Sequence, residues 1–143
     1  MKRICDHLME AYPEEGCGLL VGEERGGLRQ VLHAAPVENG AAQDRARRYE
    51  IPAERFLEAE RRARAAGLEV VGFFHSHPEC PPEPSIFDRE RAWPYYSYFI
   101  VGVGPDGVTE MRSWRMEAEG GALEPEPWSV EQDAANSRRE PMK

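Results

Sequence analysis

The stretch Leu68–Pro78 reads LEVVGFFHSHP, and its first seven residues form the strongest predicted strand of this 143-residue chain. Valine and phenylalanine dominate those residues in a nearly continuous apolar run, which is typical of a buried strand. His75 and His77 follow directly. Successive strand residues point to opposite faces, so the two imidazoles share one face and Ser76 takes the other. The stretch therefore predicts a buried strand that leads into two converging histidines.

A carboxylate follows these histidines at a suitable distance. The loop 78–84 contains four prolines, which limit the entropy lost when the next segment folds back onto the strand end. A short helix is predicted over 85–92, and Asp88 lies one turn into it. Two imidazole nitrogens and one carboxylate oxygen leave one position of a zinc ion open, as catalytic zinc requires. The pattern thus predicts a zinc site formed by His75, His77 and Asp88.

A zinc hydrolase also needs a group that takes the proton of the attacking water. Glu14 and Glu15 stand just before a second apolar run, 17–21, which predicts a buried strand. A carboxylate at the edge of such a strand is well placed to reach water bound at a neighbouring strand end. Ser85 is a candidate donor to a developing oxyanion. The spacing alone does not choose between the two glutamates.

The same residues also have purely structural interpretations. Ser85 and Asp88 have the spacing of a capping box, in which a serine caps a helix, and this role is compatible with metal binding by Asp88. Glu14 and Glu15 are alternatively solvated turn residues, and two histidines followed by an aspartate occur by chance. The remaining histidines are interpreted as surface or packing residues, namely His7 and His33.

The other patterns predict the α/β class, here an α+β mixed sheet flanked by helices. The predicted helices cover 2–12, 52–67 and 85–92. The predicted strands cover 17–21, 28–34, 68–74, 96–103 and 108–116. A turn at 23–27 joins the first two strands, and 36–46 is expected to be an exposed loop. We expect one domain over 1–130 and a flexible tail over 131–143.

Composition narrows the functional classes. The net charge of −8 argues against nucleic acid as a partner. No apolar run approaches the roughly 20 residues that span a bilayer, and no secretory signal is recognisable, so a cytoplasmic location without a membrane partner is expected. The three cysteines form no CxxC pair, which fits a reducing compartment.

Seven arginines concentrate positive charge in the middle of this acidic chain. They are interpreted either as a solvated helix face balanced by glutamates or as a surface that steers an acidic protein partner. The residues are Arg45, Arg47, Arg48, Arg55, Arg61, Arg62 and Arg64.

Two separated segments together resemble the JAMM zinc-peptidase motif of MPN domains. They are Glu15-x-x-Gly18-Leu19-Leu20-x-Gly22 and His75-Ser76-His77-Pro78-x6-Ser85-x-x-Asp88. The resemblance extends from about residue 3 to about residue 116 and implies the cytidine-deaminase-like architecture of that family. It also implies one Zn2+ per chain, with His75, His77 and Asp88 as ligands.

The resemblance also implies roles for other residues. Glu15 matches the family's acid/base because that glutamate stands three residues before the glycine matched by Gly18. Glu14 then has no catalytic role. Ser85 matches the serine that stabilises the tetrahedral intermediate. The implied reaction is hydrolysis of a peptide or isopeptide bond.

The phrase Tyr12-Pro13-Glu14-Glu15-Gly16-Cys17-Gly18 is similar to short stand-alone bacterial members of the family. Such proteins are associated with ubiquitin-like sulfur-carrier proteins that end in Gly-Gly. They trim the tail, release an amino acid such as cysteine, or remove a modifier. The resemblance therefore implies such a carrier as the substrate partner and leaves the exact bond and the oligomeric state open.

Two other functions remain as alternatives. A catalytically silent MPN scaffold is one, although this chain retains every motif residue. A nucleic-acid-associated protein like the RadC domains is the other, although the net charge disfavours it. Cys80 is expected to be an ordinary loop thiol, with zinc coordination by its thiolate as the alternative.

Overall fold

The computed structural model describes residues 1–131 and contains three helices and six strands within them. The helices are α1 (Lys2–Ala11), α2 (Ala53–Ala65) and α3 (Ile86–Arg91). The strands are β1 (Cys17–Arg25), β2 (Leu28–Val37), β3 (Glu69–Pro78), β4 (Ser97–Gly104), β5 (Gly107–Met116) and β6 (Leu123–Glu126). The predicted tail 131–143 lies, apart from residue 131, outside the described residues.

The six strands form one mixed sheet in the order β2-β1-β3-β4-β5-β6. β3 and β4 are parallel, and each other neighbouring pair is antiparallel. The parallel pair requires a crossover, and the proline-rich loop with α3 provides it. The predicted mixed sheet with flanking helices is confirmed. No helix in the described part of the chain is long and apolar enough to cross a membrane.

The two faces of the sheet pack against different helices. On one face, Ile4 and Leu8 of α1 pack with Leu20, Phe74 and other strand residues. On the opposite face, Ala63 of α2 belongs to a second apolar cluster. That cluster contains Cys17, Leu19, Val21, Val37 and Val70. Because both faces are covered, β3 is buried along most of its length, as its apolar sequence predicted.

Several predicted boundaries were wrong. β3 does not end at Phe74 but continues through the histidines to Pro78, because β4 pairs with this segment. The turn after β1 is only Gly26-Gly27, both with positive φ, since charged residues at 23–25 continue the strand. β6 was not predicted. It is a four-residue edge strand in a segment rich in glutamate, glycine and proline, and it depends on pairing with β5.

The segment 36–46 is not a fully exposed loop as predicted. β2 extends to Val37, and Val37, Asn39 and Ala41 are buried. This segment folds against the start of β1, so a polar sequence here reflects internal hydrogen bonds as well as exposure to solvent.

The arginine cluster separates into two groups. On α2, three of the four arginines pair with glutamates one turn away, in exposed contacts of 3.4–3.9 Å that are worth at most about 1 kcal/mol each. This supports the interpretation of a solvated helix face. Arg45, Arg47 and Arg48 lie instead in the loop before α2, and within residues 1–131 no carboxylate lies within 4.0 Å of their charged nitrogens.

Gly18 is required by close packing between β1 and its neighbours. A methyl group at this position would overlap the ring of Phe74 and lie 2.6 Å from the carbonyl oxygen of Ala35. Gly104 provides a contrast because no atom lies within 4 Å of the corresponding position there.

We therefore expect Gly18→Ala to lower the free energy of unfolding by about 1–3 kcal/mol, the usual cost of overpacking. Gly104→Ala is the matched control and should change it by less than about 1 kcal/mol. Urea unfolding followed by circular dichroism measures both. Equal stability of the two variants would contradict the packing argument.

Candidate metal centre

Three predicted ligands converge at the carboxyl end of β3. One ligand atom from each of His75, His77 and Asp88 lies within 4.8 Å of the others. The Nε2 atom of His77 is 3.0 Å from Asp88 Oδ2, and the Nε2 atom of His75 is 3.3 Å from the same carboxylate. Two imidazole nitrogens and a carboxylate oxygen so arranged are a donor set suited to zinc.

Neighbouring groups fix the orientation of the two rings. The Nδ1 atom of His77 donates to the carbonyl oxygen of Pro81 at 2.9 Å, which leaves Nε2 with its lone pair toward the centre. The ring of Tyr49 stacks on His75 with centroids 4.3 Å apart. His75 is fully buried, and burial lowers its pKa despite the nearby Asp88 carboxylate. A neutral imidazole is the form that binds a metal.

The third predicted ligand, Asp88, is held by the helix cap. Ser85 Oγ accepts a hydrogen bond from the Asp88 backbone N–H at 3.1 Å, and Asp88 Oδ2 accepts one from the Ser85 N–H at 2.8 Å. This is the predicted capping box. Burial opposes ionisation of Asp88, but its contacts with His75 and His77 dominate and hold its pKa below the usual range. The cap and ligand geometries therefore coexist.

Glu15 lies beside the same centre, immediately before β1. Its side chain is 4% exposed, whereas Glu14 is exposed. Burial raises the pKa of the Glu15 carboxyl to about 9, and the charges of Asp88 and Asp44 add to this shift. Its Oε1 atom is buried without a hydrogen-bond partner among the described residues. A buried carboxyl with a high proton affinity next to a metal-type donor set is suited to proton transfer.

Comparison with known proteins assigns the chain to a family. A family model described as prokaryotic homologues of the JAB domain, Prok-JAB, matches residues 1–117. The chain belongs to this family. The predicted resemblance and the assignment of a JAMM-type hydrolase are thereby confirmed.

Two curated relatives of this JAB domain are desampylases. The desampylase of Haloferax volcanii is 44% identical over 103 residues, which cover 71% of this chain and 70% of the relative. The desampylase of Pyrococcus furiosus is 40% identical over 87 residues, which cover 56% of this chain and 54% of the relative.

Solved structures agree with the fold. A protein of Desulfitobacterium hafniense superposes with a TM-score of 0.80 at 27% identity, over 93% of this chain and 89% of that one. A protein of Salinibacter ruber superposes with a TM-score of 0.69 at 32% identity, over 94% of this chain and 92% of that one.

Two further histidines and Cys80 lie outside the three-ligand group. The ring of His7 is 3.0 Å from the Cys17 carbonyl oxygen and packs against Phe74, so it has the structural role that was expected. His33 is exposed on β2. Cys80 is exposed and is not among the side chains whose ligand atoms converge, which favours the ordinary loop thiol.

Asn39 is a buried residue of this JAB domain that the sequence did not single out. Its Nδ2 donates to the carbonyl oxygens of Glu15 and Arg48, each at 2.9 Å. Its Oδ1 accepts from the backbone N–H groups of Ala41 and Glu50. One carboxamide therefore joins the backbone of Glu15 to the whole loop before α2. The adjacent Gly40 signals a turn, but no local signal shows that this asparagine is buried.

We expect Asn39→Ala to lower the free energy of unfolding by about 1–3 kcal/mol, since several buried backbone groups lose their partner. Gln43→Ala, an exposed change in the same loop, should have an effect of about 0.5 kcal/mol or less. Thermal and urea unfolding of both variants measure the difference. If Asn39→Ala left the free energy of unfolding unchanged, the loop would be held without this side chain.

Proposed function

We propose that this JAB domain is a zinc-dependent peptidase or isopeptidase. Its substrate is a ubiquitin-like or sulfur-carrier protein, and it hydrolyses the bond after the C-terminal Gly-Gly of that carrier. The convergence of His75, His77 and Asp88 beside the buried carboxyl of Glu15 is the observation that carries this proposal. The desampylase names of two relatives support a ubiquitin-like substrate.

The three donors fit zinc in type and spacing, and His77 is already oriented by Pro81. When bound at such a site, zinc supplies polarisation of the scissile carbonyl and a lowered pKa of a bound water. One Zn2+ per chain satisfies the donor set. The buried imidazole of His75 and the low pKa of Asp88 keep both ligands in the deprotonated form that coordination needs.

Glu15 moves the proton in this proposal. Its carboxylate takes a proton from the attacking water and delivers it to the leaving amine. Burial raises the pKa of this carboxyl to about 9, so a cation bound at the centre would favour the ionised form that the first proton transfer needs. Its Oε1 atom has no hydrogen-bond partner among the described residues. Glu14, which is exposed, has no part in the reaction.

Ser85 stabilises the oxyanion in the proposed reaction. Its oxygen accepts the hydrogen bond from the Asp88 backbone, so its own hydrogen remains available for donation. A hydroxyl held in this way is a preorganised donor toward developing negative charge. The helix cap thus fixes both the ligand and the donor.

Metal binding is testable without a substrate. Asp88→Asn keeps an oxygen that accepts the hydrogen bond from Ser85 but removes the negative charge. We expect it to lower zinc affinity by more than the 10- to 100-fold typical of an outer-shell change. Glu90→Gln, on the exposed side of α3, should retain one zinc per chain. Competition with a zinc chelator, followed by native mass spectrometry, measures both. Unchanged affinity in Asp88→Asn would remove Asp88 from the ligand set.

Hydrolysis is tested with a sulfur-carrier protein extended beyond its Gly-Gly tail, and intact mass reports loss of the extension. We expect cleavage with zinc, none with a chelator, and a roughly 10²- to 10⁴-fold lower kcat in Glu15→Gln. Glu14→Gln is the matched control and should retain wild-type kcat.

Zinc-loaded Glu15→Gln with full activity would exclude Glu15 as the base. Absence of cleavage by the zinc-loaded wild type on both a linear extension and a lysine isopeptide would favour a non-catalytic scaffold.

A further inference from the structure

A small cavity opens directly beside Asp88 and is not used by the mechanism above. Its volume is about 190 Å³, roughly that of six water molecules. Half of the residues that line it are aromatic, and two arginines and Glu50 also line it. The aromatic residues are Tyr49, Phe73, Phe87, Trp93 and Tyr98. The size and the walls suit the side chain of a single apolar residue.

Arg48 gives this cavity a positively charged wall. Its guanidinium carbon lies 3.9 Å from the centroid of the Phe87 ring, a cation–π contact that fixes the plane of the group. Its Nε atom is buried without a hydrogen-bond partner among residues 1–131. No carboxylate in that part of the chain lies within 4.0 Å of its charged nitrogens. Arg48 itself is only partly buried and lines the cavity, so an anion that enters the cavity would offset the charge of its guanidinium.

The other charged groups of the cavity are already engaged or exposed. Asp88 faces the two histidines. Arg91 and Glu50 approach each other to 3.9 Å, with both side chains more than half exposed. Arg48 is therefore the charged lining group that combines partial burial, a fixed orientation and a guanidinium without a carboxylate partner in the described part of the chain. Its backbone is held independently, because its N–H donates to Asp44 and its carbonyl accepts from Asn39.

We infer that this cavity is a specificity site for a single substrate residue next to the scissile bond, that the carbon atoms of its side chain pack against the aromatic wall, and that Arg48 binds a carboxylate carried by that residue. The shared wall with Asp88 places the site next to the metal centre. The inference rests on the proposed function for the identity of the substrate. The carboxylate has two possible sources, the C-terminus of a one-residue extension or an acidic side chain.

Binding of small probes tests the site without turnover. The probes are N-acetyl-phenylalanine, its amide, and the α-amide of N-acetyl-glutamate, each titrated by NMR into the zinc-loaded full chain. We expect one of the two carboxylates to bind roughly 10- to 100-fold more tightly than the neutral phenylalanine amide. The tighter of the two identifies the source of the carboxylate.

Arg48→Met removes the charge but keeps an apolar chain over Phe87, and it should abolish the preference for the carboxylate. Arg48→Lys should restore only part of it, because a lysine lacks the planar fork. Arg47→Met is the matched control, since Arg47 is exposed and does not line the cavity. It should keep the full preference. Circular dichroism verifies that each variant is folded.

A carrier extended by one phenylalanine adds a kinetic test. If the C-terminus of the extension supplies the carboxylate, Arg48→Met should raise KM about 10-fold or more with little change in kcat. The same carrier with its C-terminus amidated should show no such rise.

Equal binding of carboxylate and amide probes by the wild type would overturn the inference. An unchanged preference in Arg48→Met would also overturn it, because the metal would then be the receptor. These outcomes are independent of turnover, so failure to cleave a carrier would count against the proposed function alone.

Discussion

The candidate centre depends on two hydrogen bonds between Ser76 and Gly16. Ser76 Oγ accepts from the Gly16 N–H at 2.8 Å, and the Ser76 N–H donates to the Gly16 carbonyl at 3.1 Å. The side chain of Ser76 lies on the opposite face of β3 from His75 and His77. It can therefore bind the residue before β1 while the two imidazoles face the candidate metal site. Glu15 precedes Gly16, and its position is therefore fixed relative to both imidazoles. This clamp joins the two motif segments, which are 60 residues apart.

The electrostatics of the centre favour a bound cation. Glu15 and Asp88 are both largely buried, and the charge of Asp88 disfavours ionisation of Glu15. An ionised Asp88 beside two neutral imidazoles and the carboxyl of Glu15, in a poorly hydrated site, leaves negative charge without a full counterion. Hydrogen bonds from the helix cap and contacts with the histidines hold Asp88 ionised, whereas Glu15 retains a raised pKa. A divalent cation would offset this charge, and the geometry of the ligands is prepared for one.

The sequence predicted local features of the fold and site well. The apolar run before His75, the Ser85–Asp88 cap and the order of the main elements all depend on neighbouring residues, and the structure contains them. Asn39 and β6 depend on contacts between distant segments. An asparagine before a glycine usually indicates an exposed turn, and its burial follows only from the way the loop closes over Glu15. β6 has little strand propensity and depends on the edge offered by β5.

The short turn between β1 and β2 has a practical consequence for this domain. Glu15 precedes β1, whereas Gly26-Gly27 follow its last residue, at the opposite end of a nine-residue strand. A Cβ atom at either glycine would meet nothing within 4 Å. The crossover after β3, in contrast, carries Asp88, so lengthening it would displace a proposed metal ligand. Affinity tags, fluorophores or an entire fused protein are therefore best accommodated at the glycine pair, where added chain points away from the chemistry.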